Sequence, residues 1–456
     1  MPDSAAAPPA PRRDPYAALR LPEFRAYIFA RFTLTLALQM QGTVVGYQVY
    51  KLTNDELSLG LIGLAEAVPS IAVSLVAGYV ADSVPRRRIV RLATLGFAIC
   101  TALLLSFVLP GSPASTGSTP NPLGALLARY GAAPVYAVIF LSGLTRGFIS
   151  PALFSFMPQL IPDRAILPNA ITWSSTTWQT ASVLGPALGG LLLGFAGVPL
   201  AYGVDLALVL VSLTTLSVAV RPRPLPARAP DAAPLSLRTS LTTGLRFIFG
   251  HQLILASISL DLFAVLFGGA VALLPVFAQK ILVLDPATLN VLHTFTSQAL
   301  TEEKARAMVL GLLRAAPGVG SVAMLAILNY APVRRRAGVK LLAAVAGFGL
   351  ATIAFAYSTN VLLSIGLLVA TGAFDAVSVI LRSNLLHLHT PEEIKGRVSA
   401  VNSIFIGSSN EIGAFESGAA ARLLGTQPSV AFGGLMTLLV VAVTAWKAKA
   451  LRKLEM

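Results

Sequence analysis

The amino-acid sequence predicts an all-α membrane protein: twelve transmembrane helices in two pseudo-symmetric six-helix halves. Composition, the spacing of apolar runs and an internal repeat lead there. Of the 456 residues, 55 % are hydrophobic and only 12 % charged, with a mean hydropathy of +0.75. Soluble domains carry about 25 % charged residues, so a polytopic membrane protein is expected rather than a soluble core. About twelve apolar runs follow one another, each near the roughly 20 residues that a bilayer requires.

Taken in order, residues 1–23 form a cytoplasmic tail, Pro/Ala-rich from Met1 to Arg13 and without the apolar core of a cleavable signal peptide. The first half, residues 24–220, holds apolar runs at 25–50, 57–81, 89–110, 134–157, 168–194 and 198–220. Between its third and fourth runs, Gly111 to Asn121 is rich in Pro, Ser, Thr and Gly and predicts a flexible outer loop. Residues 221–250 are a cytoplasmic linker. Its stretch from Arg221 to Pro234 has too many prolines for a continuous helix. Leu235 to Gly250 then alternates apolar and basic residues at helical spacing, which predicts an interfacial helix. The second half, residues 251–446, has runs at 251–279, 306–329, 339–357, 360–383, 397–424 and 428–446, before a tail at 447–456.

The net charge of +14 would suggest nucleic acid in a soluble chain. Here the basic residues sit in short loops between apolar runs, and no nucleic-acid partner is expected. Arg86 to Arg88, Arg334 to Arg336, Lys395, Arg397 and the tail lysines fall on one side, which predicts a cell inner membrane protein with both termini cytoplasmic. The single cysteine, Cys100, excludes an intrachain disulfide and a cysteine-based metal site.

The halves repeat. Glu66-Ala-Val-Pro69 precedes an arginine triplet that begins 17 residues after the proline, and Arg314-Ala-Ala-Pro317 does the same. Gly143-Leu-Thr-Arg146 matches Gly372-Ala-Phe-Asp375, Leu184-Gly185 matches Ile412-Gly413, and Gly190 matches Gly418. Six-span halves repeated about an axis along the membrane normal are a transporter architecture, with the substrate site between them.

Gly78-Tyr-Val-Ala-Asp82-Ser-Val-Pro-Arg86-Arg87-Arg88 resembles the signature loop after the second helix of the major facilitator superfamily. Ser83 and Pro85 stand where that family usually has a basic residue and a glycine. Gly185, Pro186, Gly189 and Gly190 resemble the end of the fifth-helix motif of the superfamily's antiporters. Phe24-Arg25, Gly244-Leu-Arg246-Phe247 and Thr390-Pro391-Glu392 with Gly396-Arg397-Val398 resemble its enterobactin-exporter-like efflux branch. The resemblance implies the major facilitator fold. It also implies a conformational latch in which Gly78, Asp82, Arg86 and Arg87 hold the second helix against Gly396 and Arg397.

Ionisable residues inside membrane helices are functional candidates by default. The repeat matches Glu66 with Arg314 and Arg146 with Asp375, so the charges are reversed between the halves. The facilitator architecture that the resemblance implies makes the second and fourth helices neighbours, and the eighth and tenth, so two ion pairs are expected, Glu66 with Arg146 and Arg314 with Asp375, serving either as proton-coupling sites or as structural bridges. Asp261 is a further proton-coupling candidate, and Asp205 faces either the cavity or a helix contact. Glu411 and Glu416 stand five apart and do not share a face, which leaves room for a basic partner. Gln39 and Gln41 on the first helix are cavity-lining candidates, and Trp173 and Trp178 are candidates for stacking a flat apolar substrate. His387 and His389 lack further ligands in register, and no metal site is expected.

No phosphate-binding loop, serine elbow or zinc-protease motif occurs, so no enzyme and no cofactor are expected. The expected function is secondary active export of a small organic molecule, siderophore or drug-like, by alternating access and proton antiport. The partners expected are that substrate, protons and the lipid bilayer, with the protein a monomer. A lysophospholipid or other lipid transporter and a non-transporting membrane sensor or scaffold are the alternatives.

Overall fold

The computed structural model describes residue 14, residues 16–109, 122–221, 237–294, 301–330, 336–391 and 394–452, and residue 454. In short helical stretches, among them 74–79, 81–83, 395–397 and 399–400, only the backbone is described. The predicted outer loop at 111–121, the proline-rich linker to residue 234 and Arg334 and Arg335 lie outside these residues.

Among the described residues there is no strand, only one isolated bridge between Val283 and Asn360. α1 (Pro22–Thr53) ends on Asn54, whose φ of 50° is the left-handed geometry that closes a helix, and Asp55 then caps α2 (Glu56–Ser83). α3 (Arg86–Val108), the short α4 (Pro122–Tyr130) and α5 (Ala133–Phe156) follow. α6 (Leu167–Val218) has 52 residues and turns at Gly197, whose φ of 77° breaks it into two arms. α7 (Leu237–Gly250), the expected interfacial helix, packs on α8 (Gln252–Phe267) and on α14 (Lys395–Leu424). α8 breaks at Gly268 and Gly269 and continues through α9 (Leu274–Val276) into a π turn at Phe277–Ile281. The rest are α10 (Pro286–His293), α11 (Glu302–Tyr330), α12 (Ala337–Tyr357), α13 (Val361–His389), α15 (Thr426–Lys447) and α16 (Lys449–Arg452).

Nine of the described helical segments are long and apolar enough to cross a membrane, the two arms of α6 counting as one. α1 and α14 are as long but more polar. Large apolar side chains such as Leu92, Leu350, Leu435 and Trp446 point outward, as lipid-facing residues do.

The sequence repeat reappears as repeated contacts. Gly143 of α5 lies against the Glu66 carbonyl and Pro69 of α2, and its match Gly372 of α13 lies against the Pro317 carbonyl of α11. Gly185 of α6 meets the α1 backbone at Leu36, and its match Gly413 of α14 meets the α8 backbone at Leu266. Gly190 sits on Gly311 of α11, while its match Gly418 sits on Gly60 of α2. A Cβ on Gly190 would come 2.2 Å from the Gly311 Cα, and one on Gly418 would come 2.9 Å from the Gly60 Cα. No side chain fits in either place. These last two contacts join one half to the other, α6 to α11 and α2 to α14.

The ends of the bundle differ. At the face where α1 stops, away from Pro22 and Lys447, charged side chains bridge the halves. Lys51 pairs with Glu303, which also accepts a hydrogen bond from Tyr47 at 3.2 Å, and Asp55 faces Arg422 at 3.7 Å. Lys280 lies over the Tyr50 ring at 5.4 Å. Every ion pair between the halves among the described residues lies at this end.

Candidate functional site

A cavity of about 660 Å³ lies between the halves. Trp178 of α6, Arg314 and Pro317 of α11, Phe348 of α12, Asp375 of α13 and Glu411 of α14 line it. Most of its wall is apolar carbon, with charge supplied from a few helix positions. A second cavity of about 230 Å³ shares Asp375 with the first and adds Asp261 and Arg382.

On the first-half side the charge is organised around Arg146. Its Nη1 donates to Glu66, and its Nη2 donates to the Leu38 carbonyl at 3.2 Å and to Gln41 Oε1 at 3.4 Å. The guanidinium also stands 5.5 Å from the Phe97 ring centroid. The Gln41 amide donates in turn to Thr101 at 2.9 Å and to Asp205 at 3.3 Å, so α1, α2, α3, α5 and α6 share one buried polar chain. Buried polar groups need such partners, because each one left unsatisfied costs about 1–3 kcal/mol. Asp205 is completely buried and uses only one of its oxygens. Glu411 arrives from the other half. Its carboxyl lies 3.1 Å from where a Gly63 Cβ would stand, and it interacts electrostatically with both Glu66 and Arg146.

On the second-half side Arg382 pairs with Asp261, both nearly buried, and Asp375 interacts electrostatically with the two of them. Each side therefore holds more carboxylates than cations: Glu66, Glu411 and Asp205 around Arg146, and Asp261 and Asp375 around Arg382.

The expected pair of Arg314 with Asp375 is not formed. Arg382 stands two turns along α13 from Asp375 and brings the cation to that acid. Arg314 instead lies against Gly42 and Gly46 of α1, where the missing side chains leave room for its guanidinium. A Cβ on Gly46 would come within 3.0 Å of Arg314 Nη2. Two other expectations are corrected. Gln41 is buried in the polar chain rather than lining the cavity, and Gln39 packs its Cβ on Gly185. Trp173 stands 6.0 Å from Tyr16, outside the cavity, whereas Trp178 lines it and is 48 % exposed.

The side chains of Gly78, Asp82, Gly396 and Arg397 lie outside the described residues, and so does any contact between them. Arg86 and Arg87 are described and bind within their own half. Arg86 donates to the Ser155 carbonyl in the last turn of α5 at 2.7 Å, and Arg87 to the Leu216 carbonyl near the end of α6 at 3.1 Å. Cations there meet unpaired carbonyls and the negative end of the helix dipole. Gly185 and Gly189 seat α6 on α1, while Gly190 and Pro186 seat it on Gly311. His389 meets the His251 ring at 5.9 Å, and no metal-type cluster occurs among the described residues.

Two residues of this site are not marked by the repeat: Arg382 and Glu411 lack partners of matching charge, although Glu411 meets a basic residue, Arg146, across the halves.

The sequence matches the Major Facilitator Superfamily over residues 27–414. It is 27 % identical to enterobactin exporter EntS of Citrobacter koseri, over 92 % of this chain and 90 % of that protein. It is 26 % identical to enterobactin exporter EntS of Escherichia coli O1:K1 / APEC, with the same coverage. In fold it is similar to a D-xylose-proton symporter, with a TM-score of 0.66, 16 % identity and 94 % and 98 % of the two chains covered. The POT family transporter PepTSo is similar at a TM-score of 0.65, with 12 % identity and 94 % and 98 % covered. With its repeated halves, its central cavity and this match over most of its length, the chain belongs to the Major Facilitator Superfamily.

Proposed function

We propose that this protein is a secondary active exporter that moves a small organic molecule, siderophore or drug-like, out of the cell by alternating access in exchange for protons. Family membership and the likeness to enterobactin exporters support transport and its direction. The observation that carries the coupling is the excess of carboxylates over arginine on each side of the cavity. One carboxylate of each set, Glu66 or Asp261, is balanced by the arginine, and Asp205 is held by Gln41 and Thr101. Glu411 and Asp375 gain a proton when the cavity faces the acidic side and lose it on the other, because several acids beside a single cation do not all stay charged at low cost.

The lysine and arginine distribution puts the face holding both termini in the cytoplasm. The ion-paired face is then external, and the conformation described here is closed outward. Residues 24–220 and 251–446 rock against each other about the Gly190–Gly311 and Gly418–Gly60 contacts. Asp82 is the latch residue that closes the inner face.

Efflux of a compound panel from cells with and without the protein, repeated with a protonophore, tests this reading. At least one compound is expected to accumulate several-fold less when the protein is present, and the protonophore should erase the difference. Asp375→Asn and Glu411→Gln should each abolish proton-driven efflux while insertion in the membrane is unchanged. Efflux that ignores the protonophore, or normal efflux in both variants, defeats the coupling proposal.

A further inference from the structure

From Arg314 and the wall around it, we infer that the central cavity is an anion site: it takes a small organic anion with a flat apolar body, its negative group held by the Arg314 guanidinium. The inference rests on the transport reading above and names its substrate class.

Arg146 and Arg382 each have carboxylates of their own, whereas Arg314 has none. It makes no hydrogen bond or ion pair with any described residue, and its Nε is buried without a partner. A guanidinium in a membrane core without a counter-charge is costly to hold. A cation is held there at that cost when something other than the protein completes it. Two glycines of α1, Gly42 and Gly46, leave the space in which the guanidinium lies. Arg314 is also a lining residue of the cavity, not a group sealed behind it.

The rest of the wall defines the remainder of the ligand. Trp178 presents a half-exposed indole, and the half-buried Phe348 lines the same space, so an aromatic or other flat body finds π faces to stack on. Asp375 and Glu411 also border the cavity; they are the proton-accepting carboxylates of the proposal above, and neither stands in an ion pair with Arg314. They leave Arg314 as the charge that a ligand can neutralise. A guanidinium binds a carboxylate through two parallel hydrogen bonds, which also fixes its orientation. Exchange of such an anion outward for a proton inward moves net positive charge into the cell, so an inside-negative membrane potential adds to the driving force.

The test uses the full-length protein in lipid nanodiscs and three isosteric probes: naphthoate, its neutral amide naphthamide, and naphthylmethylammonium. Binding is read as quenching of tryptophan emission, with Trp178→Phe identifying the signal that comes from the cavity. Naphthoate should bind at least about tenfold more tightly than the amide, a difference of about 1.4 kcal/mol. Arg314→Gln should remove that preference and Arg314→Lys should keep part of it. Equal binding of acid and amide, preference for the ammonium probe, no saturable binding by any probe, or an acid preference that survives Arg314→Gln overturns the assignment. The comparison of probes on the unaltered protein decides the matter even where Arg314→Gln does not fold. Probe-driven proton flux in proteoliposomes separates the two readings. Flux driven by the ammonium probe alone leaves the exporter standing and removes the anion site. Acid-selective binding without flux for any compound leaves the site and removes the exporter.

Discussion

At the residue scale, the Arg146 cluster shows how the protein holds charge in a low-dielectric core. The guanidinium has one carboxylate from α2 and, from adjacent turns of α1, one amide and one backbone carbonyl. Removing one member of a sheltered ion pair leaves the other uncompensated, which costs about 3–5 kcal/mol when burial is complete. Glu66 and Arg146 retain roughly a quarter and a fifth of their exposure, so Glu66→Gln should cost about 1–3 kcal/mol. The double variant Glu66→Gln with Arg146→Gln should be more stable than the sum of the singles, because it leaves no lone charge. Thermal unfolding of the purified protein in detergent checks this, and strict additivity would show that the two side chains are not coupled.

At the element scale, glycines decide which helices touch. α6 and α11 meet backbone to backbone at Gly190 and Gly311, and no larger residue fits without moving one helix away from the other. Gly190→Leu should therefore separate the halves at that contact. Cys100 is the only cysteine and is buried, so single reporter cysteines are readable above a low background. A cysteine at the position of Tyr47, buried at this face beside Glu303, should become several-fold more reactive toward a water-soluble maleimide in the Gly190→Leu background; unchanged reactivity would mean that this contact does not hold the face closed. A second element-level prediction concerns the loop between α9 and α11. Asp285 caps α10 by accepting from the Thr288 amide at 2.8 Å, and it also accepts from Asn360, the cap of α13, at 2.8 Å. These bonds, chiefly those from Thr288, hold the Asp285 carboxyl below the usual carboxylate range. A depressed carboxylate stabilises above its unfolded pKa, near 4, and that contribution fades as the pH falls through the lower folded value. Protection of residues 286–293 relative to intrinsic exchange should fall as the pH drops below about 4, and Asp285→Ala should lower it already at neutral pH.

At the scale of the whole molecule, the ion-paired face acts as a charged seam. Lys51–Glu303 and Asp55–Arg422 are exposed pairs, worth about 0–1 kcal/mol each. Such weak links suit a joint that must open, since a strongly buried pair would lock it. Lys51→Glu should shift the population toward a conformation open at this face, and adding Glu303→Lys should reverse the shift. Distances between spin labels on the ends of α1 and α11 measure this, and a distribution that does not respond to the swap would show the seam to be passive.

Much of this architecture is legible in the sequence because a bilayer removes alternatives. Backbone groups must be satisfied within each segment, so length and hydropathy alone mark the helices, and the lysine and arginine pattern marks their sides. The Pro69 and Pro317 repeat and the matched glycines foretell the paired halves, and each matched glycine does make the matching contact. The pair of Glu66 with Arg146 follows from the same repeat. Its counterpart does not, because a repeat specifies positions along helices and not where long side chains swing. Arg382 reaches Asp261, Glu411 crosses to the other half, and Arg314 turns into the gap left by Gly42 and Gly46. The sequence by itself determined the fold class and the number of halves. Which charges meet, and which one stays free in the cavity, was decided only when packing brought side chains from different helices within a few ångströms of one another.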